Sequence, residues 1–178
     1  SYKYYCRKFK IMNIAVIPAR GGSKRIPRKN IKEFCGKPII AYSIDAARNS
    51  EIFDKIIVST DDNEIASIAK SFGGQVPFIR PSDISDDFST TGDVMRHAIS
   101  WLENKKISLD AVCCIYPTAP LLLKSDLIKA YNEFKSNKWS YVFSATRFSF
   151  PIQRAFKKSG YKGIQMFQSE HYSSRSQD

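Results

Sequence analysis

The sequence predicts an α/β protein with a mostly parallel sheet flanked by helices. Five short apolar runs rich in β-branched residues alternate with four amphipathic stretches, which is typical of a parallel sheet wrapped by helices. The chain has 178 residues, of which 43% are hydrophobic, so it is long enough for one sizeable core. The predicted strands are 13–17, 55–59, 75–79, 110–116 and 141–146, and the predicted helices are 39–48, 63–72, 93–103 and 126–135.

The second predicted helix shows the helical pattern most clearly. Its apolar residues share one face at the spacing of a 3.6-residue period: Ile65, Ile68, Ala69 and Phe72. Asp61 and Glu64 have the spacing of a capping box at its start, and Gly73 supplies its stop. We expect this apolar face to belong to the core, and we assign no chemistry to the helix.

A basic Gly-Gly-Ser loop follows the first predicted strand. Gly21 and Gly22 can adopt backbone angles that let several N–H groups converge on an anion. Five cations lie around this turn: Arg20, Lys24, Arg25, Arg28 and Lys29. Open α/β sheets bind ligands at the carboxyl ends of their strands, so this position favours a triphosphate site over a solvated basic turn. Neither the dinucleotide-binding glycine motif nor the P-loop motif is present.

Composition narrows the class of protein but does not decide the ligand. The formal net charge is +11, which suits an anionic small substrate as well as it suits nucleic acid. Cys113 and Cys114 are adjacent in an apolar strand, so we expect small buried thiols in a reducing compartment. No apolar run reaches the length of a membrane span, and the first residues lack the apolar region of a secretion signal. We therefore expect a cytoplasmic protein that does not bind membranes.

The sequence divides into three parts. Met12 directly precedes the first strand, so residues 1–11 are expected to be an N-terminal extension. Residues 12–146 form the predicted nucleotide-binding α/β domain. After residue 146 aromatic residues alternate with cations, a composition that can stack bases, close over a carboxylated sugar or meet a second subunit. The chain stops without a final strand or helix cap, so we expect it to be truncated, with an incomplete acceptor-binding and dimerisation lobe at 147–178.

Four motifs resemble those of the CMP-sialic acid synthetase family. They stand in the same order and spacing as in that family: residues 17–30, 58–62, 80–81 with 89–91, and 116–121. The stretch 165–178 is similar to the pseudaminic acid branch of the family. The resemblance implies a Rossmann-like nucleotidyltransferase fold, Mg²⁺ dependence, a homodimer, and transfer from CTP to an acidic nine-carbon sugar such as pseudaminic acid.

The resemblance also implies roles for individual residues. Arg20 and Lys29 would be catalytic, with Arg20 on the outer phosphates and Lys29 near the α-phosphate. The implied CTP-binding residues are Ala19, Gly21, Gly22, Ser23, Lys24, Asn30, Arg80, Ser89 and Thr91, the last three at the cytosine. The implied acceptor-binding residues are Tyr116, Arg147, Arg154, His171 and Arg175. Residues 89–91 suit a helix N-cap equally well, and His171 suits a structural role equally well. His97, in the third helix, favours a structural role.

Departures from the family pattern leave alternatives open. Arg25 stands where many relatives have Gly, and Tyr116 stands where the sialic acid enzymes have Gln. The family's metal-binding aspartates would lie beyond Asp178, while Asp61, Asp62, Asp86 and Asp87 are expected to be cap and loop acids. The alternatives are a basic module that binds RNA or DNA, and a truncated relative without catalytic activity.

Overall fold

The computed structural model describes residues 11–136, 139–146, 152, 155–160 and 163–173. Three predicted acceptor-binding residues, Arg147, Arg154 and Arg175, lie outside these ranges, as do residues 1–10 of the predicted extension. The chain divides into two units, Ser1–Ser140 and Tyr141–Asp178. The observed boundary therefore lies six residues before the predicted one at residue 146.

A parallel three-stranded sheet organises the first unit. Strand β1 (Ile11–Pro18) lies between β4 (Lys55–Ser59) and β5 (Ser108–Cys114). Residues of β1 point alternately to the two faces, with Ala15 in one core cluster and Ile14 in the other. Because both faces are covered by helices, the centre of β1 is apolar at every position.

Four helices cover the sheet. They are α1 (Ile39–Ser50), α2 (Asn63–Ser71), α3 (Thr91–Asn104) and α4 (Lys124–Ser136). Helices α1, α2 and α4 contribute to the core cluster around Ala15, and α3 contributes Leu102 to the cluster around Ile14. Each fully buried aliphatic side chain contributes about 1.5–3 kcal/mol of transfer free energy. All four predicted helices are confirmed, with ends within two residues of the prediction.

The predictions for strands are confirmed at β1, β4 and β5 and wrong at two places. Residues 75–79 pair only through isolated bridges, from Gln75 to Ile57 of β4 and from Ile79 to Thr60, the residue after β4. Pro77 between them has no N–H to donate to a strand ladder, which explains why no continuous strand forms. Residues 141–146 form no strand, because no described segment pairs with them and the side chain of Tyr141 is 76% exposed.

Helix caps correct one prediction and confirm another. The N-cap of α2 is Asp62, whose Oδ1 accepts from the backbone N–H groups of Glu64 and Ile65 at 2.9 and 3.0 Å. The predicted capping box from Asp61 is therefore wrong by one residue. A capping box does occur at α3, with Thr90 as the N-cap residue and Asp93 as its partner, which confirms a helix N-cap within residues 89–91.

Short elements complete the two units. In the first unit, β2 (Glu33–Phe34) and β3 (Lys37–Pro38) form a hairpin ahead of α1. In the second unit, β6 (Phe156–Lys158) pairs antiparallel with β7 (Ile164–Met166). None of the second unit's described residues is buried. Among the described helices, none combines the length and apolar character needed to cross a bilayer.

Candidate active site

The loop after β1, residues 19–30, is called the basic loop below. Its base is buried: Ala19 is fully buried, and its N–H donates to the carbonyl of Ser59 at 2.9 Å. The side chain of Asn30, only 3% exposed, donates from Nδ2 to the carbonyl oxygen of Arg20 at 2.9 Å. The first bond holds the start of the loop against β4, and the second ties the end of the loop to that start, so the cations between them project from an anchored backbone.

The basic loop lines a cleft of about 910 Å³, which is large enough for a nucleotide. Its lining residues are Arg20, Ser23, Lys24, Arg25, Ile26, Lys29, Lys32, Glu33, Phe34, Ile39, Asp87 and Thr118. The structure thus brings together four residues that the sequence assigns to CTP: Arg20, Ser23, Lys24 and Lys29. Cations outnumber carboxylates in this lining, so the cleft suits a polyanion.

Asp87 lies against two of these cations. Its carboxylate is 2.8 Å from Nη2 of Arg20 and also forms an ion pair with Lys24. The hydrogen bond from Lys24 and the charge of both cations hold the pKa of Asp87 below its ordinary value. Arg20 also donates to the backbone carbonyl of Asp86. Lys29, by contrast, lines the cleft and has no carboxylate partner among the described residues.

Two backbone N–H groups of the basic loop form hydrogen bonds within the protein. The N–H of Gly21 donates to Oδ1 of Asp61 at 2.9 Å, and the N–H of Ser23 donates to the carbonyl of Gly21 at 2.9 Å. These two N–H groups are engaged within the protein, so an anion in the cleft would meet the cationic side chains rather than them. Gly21 is required for another reason, because a Cβ there would lie 2.6 Å from Oδ2 of Asp62.

Asp62 contacts the basic loop near its C-terminal end, at Arg28. Its carboxylate accepts hydrogen bonds from Arg28, one of them at 3.0 Å, and Arg28 also pairs with Glu64. The hydrogen bond from Arg28 lowers the pKa of Asp62 to about 2. Sequence reasoning missed these contacts of Asp61 and Asp62. The available signal was their position directly after β4, the strand beside β1 in a parallel sheet.

The residues predicted to hold cytosine, Arg80, Ser89 and Thr91, are not among the residues that line the cleft. Arg80 is 4% exposed, donates from Nε to Oγ of Ser85 at 3.1 Å, and places Nη2 3.6 Å from Oδ1 of Asp61. Burial lowers the pKa of its guanidinium. The Ser89 hydroxyl donates to the carboxylate of Asp86, within the turn that precedes α3.

Tyr116 is the predicted acceptor residue in the first unit. It follows β5 by two residues, its side chain is 58% exposed, and its hydroxyl lies 3.1 Å from the hydroxyl of Thr91. This contact joins a residue predicted to bind acceptor to one predicted to bind CTP. His171 lies in a short 3-10 turn of the second unit. His97 packs its ring edge-on against Phe78, as expected of a structural histidine.

The described carboxylates do not fit a divalent metal site. Among the described residues, no group of three or more His, Cys, Asp or Glu side chains comes together. Asp61, Asp62 and Asp87 are each engaged by a backbone N–H or a cation. We therefore assign none of them to a metal ion.

Comparison with known proteins identifies the class. The family model described as Cytidylyltransferase matches residues 14–176, so the chain belongs to the cytidylyltransferase family. It is 50% identical over 166 residues to the pseudaminic acid cytidylyltransferase of Campylobacter jejuni serotype O:23/36, covering 93% of this chain and 72% of that protein. It is 38% identical to a Helicobacter pylori protein named pseudaminic acid cytidylyltransferase and UDP-2,4-diacetamido-2,4,6-trideoxy-beta-L-altropyranose hydrolase, covering 93% of this chain and 31% of that one.

Solved structures confirm the Rossmann-like fold. CMP:2-keto-3-deoxy-manno-octonic acid synthetase, solved with CTP, matches with a TM-score of 0.59 at 23% identity. The match covers 71% of this chain, and the chain spans about half, 48%, of that structure. The family resemblance inferred from the sequence motifs is therefore confirmed. The alternative of a nucleic-acid-binding module gains no support from these matches.

Proposed function

We propose that the chain belongs to an enzyme that transfers the cytidylyl group of CTP to the anomeric hydroxyl of pseudaminic acid. The products are the CMP-sugar and pyrophosphate. The observation that carries this proposal is the cleft beside β1, where Arg20, Lys24 and Lys29 converge on one polyanion-sized space. The 50% identity to a protein named pseudaminic acid cytidylyltransferase supports the choice of sugar.

The chemistry requires positioning and charge neutralisation. The sugar hydroxyl attacks the α-phosphorus in line, a new P–O bond forms, and the bond to the bridging oxygen of pyrophosphate breaks with its electron pair. The hydroxyl proton passes to solvent. Arg20, Ser23 and Lys24 hold the β- and γ-phosphates, and Lys29 neutralises charge near the α-phosphate as the transition state forms. To reach the phosphates, Arg20 and Lys24 exchange the carboxylate of Asp87 for phosphate oxygens.

The remaining assignments complete this proposal. Arg80, Ser89 and Thr91 recognise or support the cytosine, and Asn30 holds the ribose or a phosphate. Tyr116 faces the acceptor, while His171 and the arginines at 147, 154 and 175 act on the acceptor side as the sequence predicts. The enzyme works as a homodimer, a proposal supported by exposed aromatic side chains such as Phe156, at 69%, and Tyr172, at 79%.

Members of this family generally use a divalent metal, and Mg²⁺ is proposed for this enzyme. The metal neutralises phosphate charge when it is bound. Because the described carboxylates are engaged, we propose that its protein ligands lie outside the described residues. The contacts of Arg20, Lys24 and Lys29 do not depend on that assignment.

A substrate panel tests the proposed function. The protein is incubated with Mg²⁺, CTP and pseudaminic acid, and the CMP-sugar and pyrophosphate are followed by ³¹P NMR. We expect turnover with CTP and pseudaminic acid, and at least about tenfold lower kcat/KM with UTP or with N-acetylneuraminate, because a site built for one set of polar groups rejects another. Absence of CTP binding, combined with tight RNA binding that collapses as salt rises, would contradict the proposal.

A further inference from the structure

One carboxylate oxygen of Asp61 faces two distinct parts of the site. Oδ1 accepts from the N–H of Gly21 at 2.9 Å, and the same oxygen lies 3.6 Å from Nη2 of Arg80. Gly21 belongs to the basic loop after β1, whereas Arg80 follows the 75–79 segment beyond β4. Asp61 therefore joins two segments that the chain brings together only in the folded sheet.

The carboxylate of Asp61 supplies the counter-charge for the buried guanidinium of Arg80. The side chain of Arg80 is 3% exposed, and its Nη2 has no hydrogen-bond partner within the described part of the chain. A buried guanidinium without a counter-charge is costly, and the nearby positive charge of Arg20 opposes it further. Ser85 offers only a neutral hydroxyl. The negative charge of Asp61 thus stabilises Arg80, and Arg80 in turn fixes the direction in which Asp61 points.

The fixed carboxylate sets the path of the basic loop. Arg20 directly precedes Gly21, and its carbonyl is held by Asn30. A second anchor on the N–H of Gly21 defines the peptide from which the Arg20 side chain enters the cleft. Movement of Asp61 would release this anchor and let the cationic side chains of the loop spread over several positions.

We propose that Asp61 is a positioning residue that couples the buried Arg80 to the backbone of the basic loop and so presents Arg20 and Lys24 to a triphosphate. The link to the triphosphate rests on the proposed function, whereas the coupling rests on the contacts alone. The two parts therefore have separate readouts: exchange of the loop amides, and affinity for CTP.

Hydrogen–deuterium exchange of the peptide covering residues 19–31 measures the coupling. The variants are Asp61→Asn, which keeps an acceptor oxygen but loses the charge, and Arg80→Met, which removes the guanidinium at similar volume. Asp110→Asn is the matched control, because Asp110 forms an exposed ion pair with Lys135 on another part of the sheet. We expect both site variants to increase exchange of the loop, although Arg80 itself donates no hydrogen bond to it among the described residues.

Calorimetric titration with CTP on the same variants measures the consequence. Each single variant is expected to weaken CTP binding about tenfold, and the double variant about as much as the worse single one, because residues acting as a unit are not additive. If Arg80→Met does not fold, Arg80→Lys, which keeps the charge without the fork, is expected to give intermediate changes in both readouts.

Unchanged loop exchange in the Arg80 variants would overturn the coupling. Additive losses of CTP affinity, or a lower melting temperature with unchanged CTP affinity, would overturn the second part of the proposal, that Asp61 presents Arg20 and Lys24 to the triphosphate. A wild-type protein that binds no CTP, while both site variants still loosen the loop, would refute the proposed function and leave the coupling standing.

Discussion

The two units of the chain hold their predicted site residues in different ways. In the first unit the residues that anchor the basic loop are buried in the fold: Ala19 is fully buried and Asn30 is 3% exposed. In the second unit most of the described aromatic and aliphatic side chains are exposed, with Ile164 72% exposed. The first unit, to which CTP binding is assigned by proposal, is therefore organised by a buried core, whereas the second unit has no buried residue among those described.

The largest expected effect is that of replacing Lys29, in the first unit. Lys29→Ala should lower kcat at least about 100-fold while changing KM for CTP by less than about threefold, because its uncompensated charge acts most strongly as the α-phosphate gains negative character. Steady-state kinetics measure both constants. Lys70→Ala, an exposed lysine on α2 outside the cleft, is the control. A raised KM with unchanged kcat would make Lys29 a simple anchor.

Arg20 and Lys24 provide the next test. Arg20→Ala or Lys24→Ala should weaken CTP binding about 30-fold and CMP binding by less than about threefold, since both cations are expected to contact the outer phosphates. Calorimetry with the two nucleotides compares the losses directly, and CMP serves as the internal control. Equal losses for CTP and CMP would place these residues away from the triphosphate.

The next prediction concerns the second unit of the chain, through Arg175. Arg175 lies outside the described residues, so its role in holding the acceptor carboxylate stays a sequence prediction. Arg175→Lys should raise KM for pseudaminic acid about tenfold and leave CTP binding unchanged, because lysine keeps the charge but loses the bidentate fork. Loss of CTP binding with the fold intact, or no change in pseudaminic acid turnover, would contradict this assignment.

The smallest expected effect is a loss of folding stability in acid, where the ion pair between Asp62 and Arg28 is broken. Arg28 lowers the pKa of Asp62 from 3.8 to about 2, so its contribution to stability is complete above about pH 4 and is lost as the pH falls through 2. After screening at the partly exposed Arg28, the loss should be about 1 kcal/mol. Urea unfolding between pH 5 and pH 2 measures it, and Asp62→Asn should lack this component. An identical pH dependence in wild type and variant would exclude the linkage.

The fold was largely predictable because the apolar pattern is local. The alternation of strands and helices indicates β1, β4, β5 and all four helices. The errors came where pairing partners decide the outcome. Residues 75–79 have strand-like composition but carry Pro77, and residues 141–146 have apolar side chains without a described partner segment. A local hydropathy pattern shows neither the loss of a backbone N–H donor at Pro77 nor whether a segment is present to pair with residues 141–146.

The site was predictable where it follows a strand end and unpredictable where it depends on contacts across strands. The cations at 20, 24 and 29 follow β1 and line one cleft, and their contact with CTP stays a prediction. Asp61 and Asp62 were expected to be cap and loop acids. Asp62 does cap α2, but both residues also contact the basic loop from the end of the neighbouring strand. That role depends on the parallel order of β4 and β1, which a single sequence does not specify.

A crystal structure of the protein with bound CTP tests the central claim most directly. The account predicts the β- and γ-phosphates on the side chains of Arg20 and Lys24, with the carboxylate of Asp87 displaced from both and Lys29 beside the α-phosphate. It also predicts that the N–H of Gly21 keeps its bond to Asp61. A triphosphate bound away from the cleft, or CTP bound with Arg20 and Lys24 still paired to Asp87, would contradict the account.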